Sequence, residues 1–148
     1  MTDAPLTDPG YEFTNDWFDQ NIVVWDALLP RFAPRRFLEI GSYEGRSACY
    51  LIEKFGRDQA VELHCIDTWE GGVEHGDITM SDVEKRFDKN IQLALGKVGN
   101  PDVVVKKHKK LSHMALAELK QKMGLLGPPQ ETRALPAAKD AKPEGKAD

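Results

Sequence analysis

Residues 37–52 restrict the fold more than any other part of the chain. Phe37-Leu38-Glu39-Ile40 is a short apolar run carrying an acid near its end. Gly41-Ser42-Tyr43-Glu44-Gly45 turns on two glycines, and Arg46 to Ile52 continues with helical spacing. Strand, glycine turn and helix in that order build the crevice at the carboxyl end of an open α/β sheet. Gly41 suits a tight turn, and Gly45 is expected to let a ligand approach the backbone. At 148 residues the chain holds one domain with a real core, not two.

The remaining pattern extends that unit. Residues 1–13 read as a loose arm. Thr14, Asn15 and Asp16 are capable helix caps, and Trp17, Phe18, Ile22, Trp25, Leu28 and Leu29 follow at spacings of three and four. That stripe predicts a helix to about Leu29, ended by Pro30, with Trp17, Phe18 and Trp25 in the core. Strands are expected at 36–40, at Val61–Ile66 closing on Asp67, and at Val103–Val105. Helices are expected at about 45–55, from a cap at Ser81 to a stop at Gly96 and Gly99, and from a cap at Ser112. Alternating strands and helices imply a Rossmann-like parallel sheet with flanking helices, an α/β fold. The domain is placed at 14–123. Residues 124–148, rich in Pro, Ala and Lys, read as a disordered or loosely helical tail.

Charge is unevenly spread. Residues 1–30 carry six acids and no Lys or Arg, whereas residues 106–122 carry six lysines against Glu118. No aromatics interleave those lysines, so a solvated strand end and loop is expected rather than a base-stacking nucleic-acid surface. No apolar run approaches the roughly 20 residues that cross a bilayer. The first residues have no basic and apolar signal pattern. Cys49 and Cys65 form no CxxC and fall inside expected elements, which suits a reduced, cytoplasmic protein. Glu74-His75-Gly76-Asp77 gathers polar groups in a loop, but no histidine pair has zinc-ligand spacing, so no metal is expected. His75 borders the crevice and could face substrate.

The crevice itself selects among ligands. The dinucleotide fingerprint and the P-loop both need residues that are missing around Gly41 and Gly45. Glu39 and Glu44 would repel a pyrophosphate there, with Arg46 offsetting only part of the charge. The same carboxylates suit an ammonium or a sulfonium. Asp67 closes the second strand 26 residues after Gly41, where an acid in such a sheet holds ribose hydroxyls. A nucleoside without phosphates and with positive charge near the turn describes S-adenosylmethionine.

Glu39-Ile40-Gly41-Ser42-Tyr43-Glu44-Gly45-Arg46-Ser47, followed by Cys65-Ile66-Asp67-Thr68-Trp69 and Gly71-Gly72, resembles the class I S-adenosylmethionine-dependent methyltransferases. The nearest branch has a first motif reading E-I-G-S-x-E-G-R-S. Thr14 to Phe18 and Val83 to Asn90 resemble it too, so the likeness covers about residues 11–119. It implies that Glu39, Gly41, Ser42 and Gly45 line the methionine part of the cofactor, with Tyr43 among the cofactor residues. Glu44, Arg46 and Ser47 would shape the loop and helix start. Asp67 would hold the ribose, and Thr68 or Trp69 would flank the adenine or the sulfonium. No catalytic residue is assigned.

The family's fourth and later strands have no counterpart after about residue 119. The resemblance therefore implies an incomplete class I methyltransferase fold: a truncation, a frameshifted product or a shortened natural form. An open three-stranded sheet would expose an edge for a homodimer or partner subunit to cover. The leading expectation is methyl transfer from S-adenosylmethionine to a small molecule. A non-catalytic cofactor-binding subunit is the alternative, and a different Rossmann-like nucleotide binder, for instance of NAD, is the third reading.

Overall fold

A computed structural model describes residues 10–71 and 79–124. Residues 1–9, the Glu74–Asp77 loop and the tail from 125 onward lie outside the described residues. The elements run α1 (Asp19–Phe32), β1 (Arg36–Ile40), α2 (Arg46–Phe55), β2 (Val61–Asp67), α3 (Met80–Val98), β3 (Val103–Lys109) and α4 (Ser112–Lys122). The three strands form one parallel sheet in the order β1-β2-β3, with Leu38 beside His64 and His64 beside Lys106. β2 is central and almost wholly buried, as a parallel strand covered on both faces must be.

The core lies on the α2–α3 side of the sheet. α2 buries Ala48 to Ile52, and α3 buries Val83, Phe87 and Ile91 at four-residue intervals, with Asn90 and Ala94 beside them. These close over Val61, Leu63, Cys65 and Val103. Burial pushes both cysteine thiols up, so Cys49 and Cys65 stay protonated inside this core. α4 covers the opposite face only through Ala115, Leu116 and Leu119 on Ile66. On β1, Leu38 and Ile40 are exposed, so the outer strand leaves apolar surface open. None of the described helices is long and apolar enough to cross a membrane.

Several boundaries differ from expectation. α1 begins at Asp19, because Thr14 and Asn15 spend their side chains elsewhere and Asp16 supplies a main-chain turn, its carbonyl accepting from Asp19 N–H at 2.9 Å. Trp17 consequently falls before the helix and is not core. Pro30 lies inside the last turn, which ends on left-handed Ala33. Thr79 and Leu111, not Ser81 and Ser112, precede α3 and α4, and α3 runs through Gly96 to end on left-handed Gly99. β3 extends to Lys109. Its lysines are carried on a ladder against His64–Asp67 and meet carboxylates: Lys106 on Glu62, Lys107 on Glu84 and Asp88, Lys109 on Glu84. Residues 11–13 of the expected loose arm are tied down as well. Tyr11 and Phe13 pack on the core, Tyr11 donates its hydroxyl to Glu53, and Glu12 binds Asn90.

Candidate functional site

The site is the turn that carries β1 into α2. Gly41 leaves the strand with φ +81°, its N–H donating to Ile66 O at 2.9 Å. Tyr43 and Gly45 also have positive φ, at +48° and +78°. Left-handed backbone is ordinary for glycine and costly for tyrosine, so something must hold Tyr43 there. Asp67, at the end of β2, does so. Its Oδ2 accepts from Tyr43 N–H and its Oδ1 from Trp69 N–H, each at 2.9 Å. The Trp69 indole donates back to Tyr43 O at 2.9 Å. Each Asp67 oxygen retains a lone-pair direction for a further donor.

Toward α3 the turn is fully engaged. The Glu44 side chain is 2% exposed and accepts from Thr14 N–H at 2.7 Å, Thr14 Oγ1 at 2.8 Å and Arg86 at 3.2 Å. Asn90 donates to Glu44 O at 2.9 Å and to Glu12 O at 3.1 Å, joining arm, turn and helix. A Cβ on Gly45 would stand 2.9 Å from Phe87 Cδ2. The missing side chain at Gly45 therefore makes room for α3.

Toward α1 the same turn opens. A cavity of about 490 Å³ runs along β1, its wall including Glu39, Gly41, Ser42, Tyr43 and Trp17. A Cβ on Gly41 would meet nothing within 4 Å among the described residues. Glu39 Oε1 accepts from Ser47 Oγ, while Glu39 Oε2 and Ser42 Oγ are buried and complete no hydrogen-bond geometry among the described residues, although the Ser42 hydroxyl and the Cys65 thiol lie close enough to draw the proton affinity of the carboxyl down. Burial pushes the Glu39 carboxyl above the usual carboxylate range, and the Ser47 hydroxyl is the largest influence opposing it. Hydrogen-bonding capacity left over on a buried acid is costly, so Glu39 with Ser42 beside it marks a polar spot in the cavity wall.

The structure thus brings Glu39, Gly41, Ser42, Tyr43, Glu44 and Ser47 to one wall. Asp67 ends β2, and Thr68 and Trp69 follow it on the other flank of Tyr43, with Trp69 3% exposed and its ring 4.8 Å from that of Phe87. Arg46 grips both Asp19 oxygens, at 2.7 and 2.6 Å, and so fixes α1 to the start of α2. Two residues escaped the sequence reading. Asn90 sits mid-helix with no local signal of its three long-range bonds, and the spacing of Trp17 puts it on an apolar stripe.

The turn thus offers a buried carboxyl, an open glycine and an acid whose two oxygens each hold one main-chain N–H. A family model described as a methyltransferase domain matches residues 38–127, from inside β1 to beyond α4. No curated protein and no solved structure matches the chain. The family match spans more than half of the sequence and contains the end of β1, the whole turn, Asp67, β2 and β3; the chain belongs to the methyltransferase domain family.

Proposed function

We propose that the protein transfers the methyl group of S-adenosylmethionine to a small-molecule acceptor. The observation that carries this reading is the buried Glu39 carboxyl, its Oε2 short of a full hydrogen bond among the described residues, set in the cavity wall with Gly41 and Ser42. A buried carboxylate with a raised proton affinity gains most from a fixed cation, and the ammonium of the methionine moiety is one. Asp67 fits the ribose, since its two oxygens already lock the turn and still face outward demand for donors. The cofactor supplies a carbon already activated by its sulfonium. The chain's contribution is to bind and orient it beside the acceptor and to limit water.

A pyrophosphate nucleotide is disfavoured at this wall, because Glu39 offers it an acceptor where it needs donors. Isothermal titration of the full chain with S-adenosylmethionine tests the reading. Saturable binding at one site per chain is expected, lost at least tenfold in Asp67→Ala. A folded sample that gives no saturation, or one from which NAD displaces the bound ligand, removes it.

A further inference from the structure

Helical spacing puts Trp17 on one stripe with Phe18, Ile22 and Trp25, yet only Phe18 among the first two is buried: Phe18 is 9% exposed and Trp17 62%. The difference arises because α1 starts two residues later, and Trp17 is turned the other way. Its position is braced. Arg46 binds Asn15 O at 3.3 Å and both Asp19 carboxylate oxygens, so the same guanidinium ties down the chain on each side of Trp17. The Asp16–Asp19 turn closes the span between them. The indole lies 5.5 Å from the Tyr43 ring, tilted by 37°. Tyr43 is itself held in left-handed backbone by Asp67 and Trp69. Two braced aromatic rings therefore line the same cavity as the buried Glu39 carboxyl.

Aromatic faces attract cations, tryptophan most strongly, and do little for the same group once it is neutral. We propose that Trp17, with Tyr43, forms a subsite for the sulfonium of the methyl donor, so that the site distinguishes the charged donor from its neutral, demethylated product. This rests on the cofactor reading above. When the methyl carbon bonds to the acceptor, the carbon–sulfur bond electrons return to sulfur and the positive charge leaves that atom. The aromatic attraction ends with it, while the Glu39 and Asp67 contacts to ammonium and ribose remain. Trp69, the other tryptophan near the turn, is buried behind it under Lys107, 4.7 Å from its ring, and its indole N–H is spent on Tyr43 O.

The test is titration of the wild-type chain, Trp17→Leu and Trp17→Phe with S-adenosylmethionine and, separately, S-adenosylhomocysteine. Leucine keeps apolar bulk and removes the π face. The expected result is a loss of about 5- to 30-fold in donor affinity for Trp17→Leu, less than about 3-fold for product, and a smaller donor loss for Trp17→Phe. Thermal melts of both variants should match the wild type, because the side chain is largely in water. Equal losses for donor and product would overturn the sulfonium subsite in favour of packing or base stacking, and so would no loss for either. If the wild type binds neither ligand, the cofactor reading falls and takes this one with it. If the wild type binds both and Trp17→Leu is indifferent, only this one falls.

Discussion

Toward α3, the turn after β1 sets Glu44 among Thr14 and Arg86, gives its carbonyl to Asn90 and seats Gly45 on Phe87. Toward α1, the end of β1 and the start of the same turn set the Glu39 carboxyl, the Ser42 hydroxyl and an open Gly41 along a cavity. Satisfied polar groups hold a shape; unsatisfied ones cost stability until something arrives to meet them. The contrast separates the residues that make the turn from those that use it. It also explains why two acids in one motif, Glu39 and Glu44, need not share a role.

The glycines give the largest effect that can break this division. Gly45→Ala must hold an L-residue at φ +78° and push Phe87 aside from 2.9 Å. The backbone strain and the overpacking together should cost about 3 kcal/mol. Gly41→Ala faces comparable backbone strain at φ +81° but no neighbour, so about 1–2 kcal/mol is expected. Ligand affinity should rank the other way. The Gly41→Ala methyl enters the cavity and should weaken cofactor binding at least tenfold, whereas folded Gly45→Ala should bind nearly as the wild type does. Urea denaturation and titration on both variants read the two rankings. Equal ligand losses would show that the α3 side is part of the binding wall.

Glu39→Gln sharpens the comparison further, with a smaller change in stability. The folded carboxyl is raised above its unfolded value, chiefly by burial. Its contribution to stability is therefore fully present below the unfolded value, near pH 4.5, and is lost as pH rises through the folded value. Glutamine removes that loss, so the ligand-free variant should equal or exceed the wild type by about 1 kcal/mol at neutral pH. Cofactor affinity should fall about tenfold or more in the same variant. In the wild type it should rise with pH as the ammonium no longer has to displace the Glu39 proton. Titration in buffers of different ionisation enthalpy measures that proton. A variant that loses both stability and affinity would make Glu39 a structural acid like Glu44.

Much of this was legible in the sequence, for reasons that can be named. The strand–turn–helix unit announces itself because apolar alternation, glycines and helical spacing meet within residues 37–52. Asp67 follows because the mostly apolar run Leu63–Ile66 of a buried strand ends there. The two-sidedness was not legible. Gly45 looks like Gly41 on paper, and only Phe87, brought in by α3, tells them apart. Thr14 and Asn15 looked like caps because a hydroxyl and an amide can cap a helix, yet one is spent on Glu44 and the other on Trp17 N–H. That moved the helix start and turned Trp17 outward. Lys106, Lys107 and Lys109 looked like loop because lysine is rarely a strand former, until Glu62, Glu84 and Asp88 are placed beside them.

Glu62 supplies the smallest test and the sharpest control. It sits on β2 facing the opposite side of the sheet, where its Oε1 accepts from Lys106 Nζ and His64 Nε2, each at 2.8 Å. The Lys106 hydrogen bond first, and His64 next, hold its carboxyl down at about 2. A folded value depressed below the unfolded one gives stability that is present above about pH 4.5 and lost as pH falls toward 2. Glu62 and Lys106 are partly in water, so screening leaves less than about 0.5 kcal/mol at neutral pH. Glu62→Gln should therefore change the melting midpoint little at pH 7, and the difference should vanish toward pH 2. Glu39→Gln should show the opposite slope, gaining on the wild type as pH rises. Denaturation profiles of both variants between pH 3 and 8 compare them directly. If the two curves run parallel, Glu39 already has its partner inside the folded chain, and its second oxygen is not waiting for a ligand.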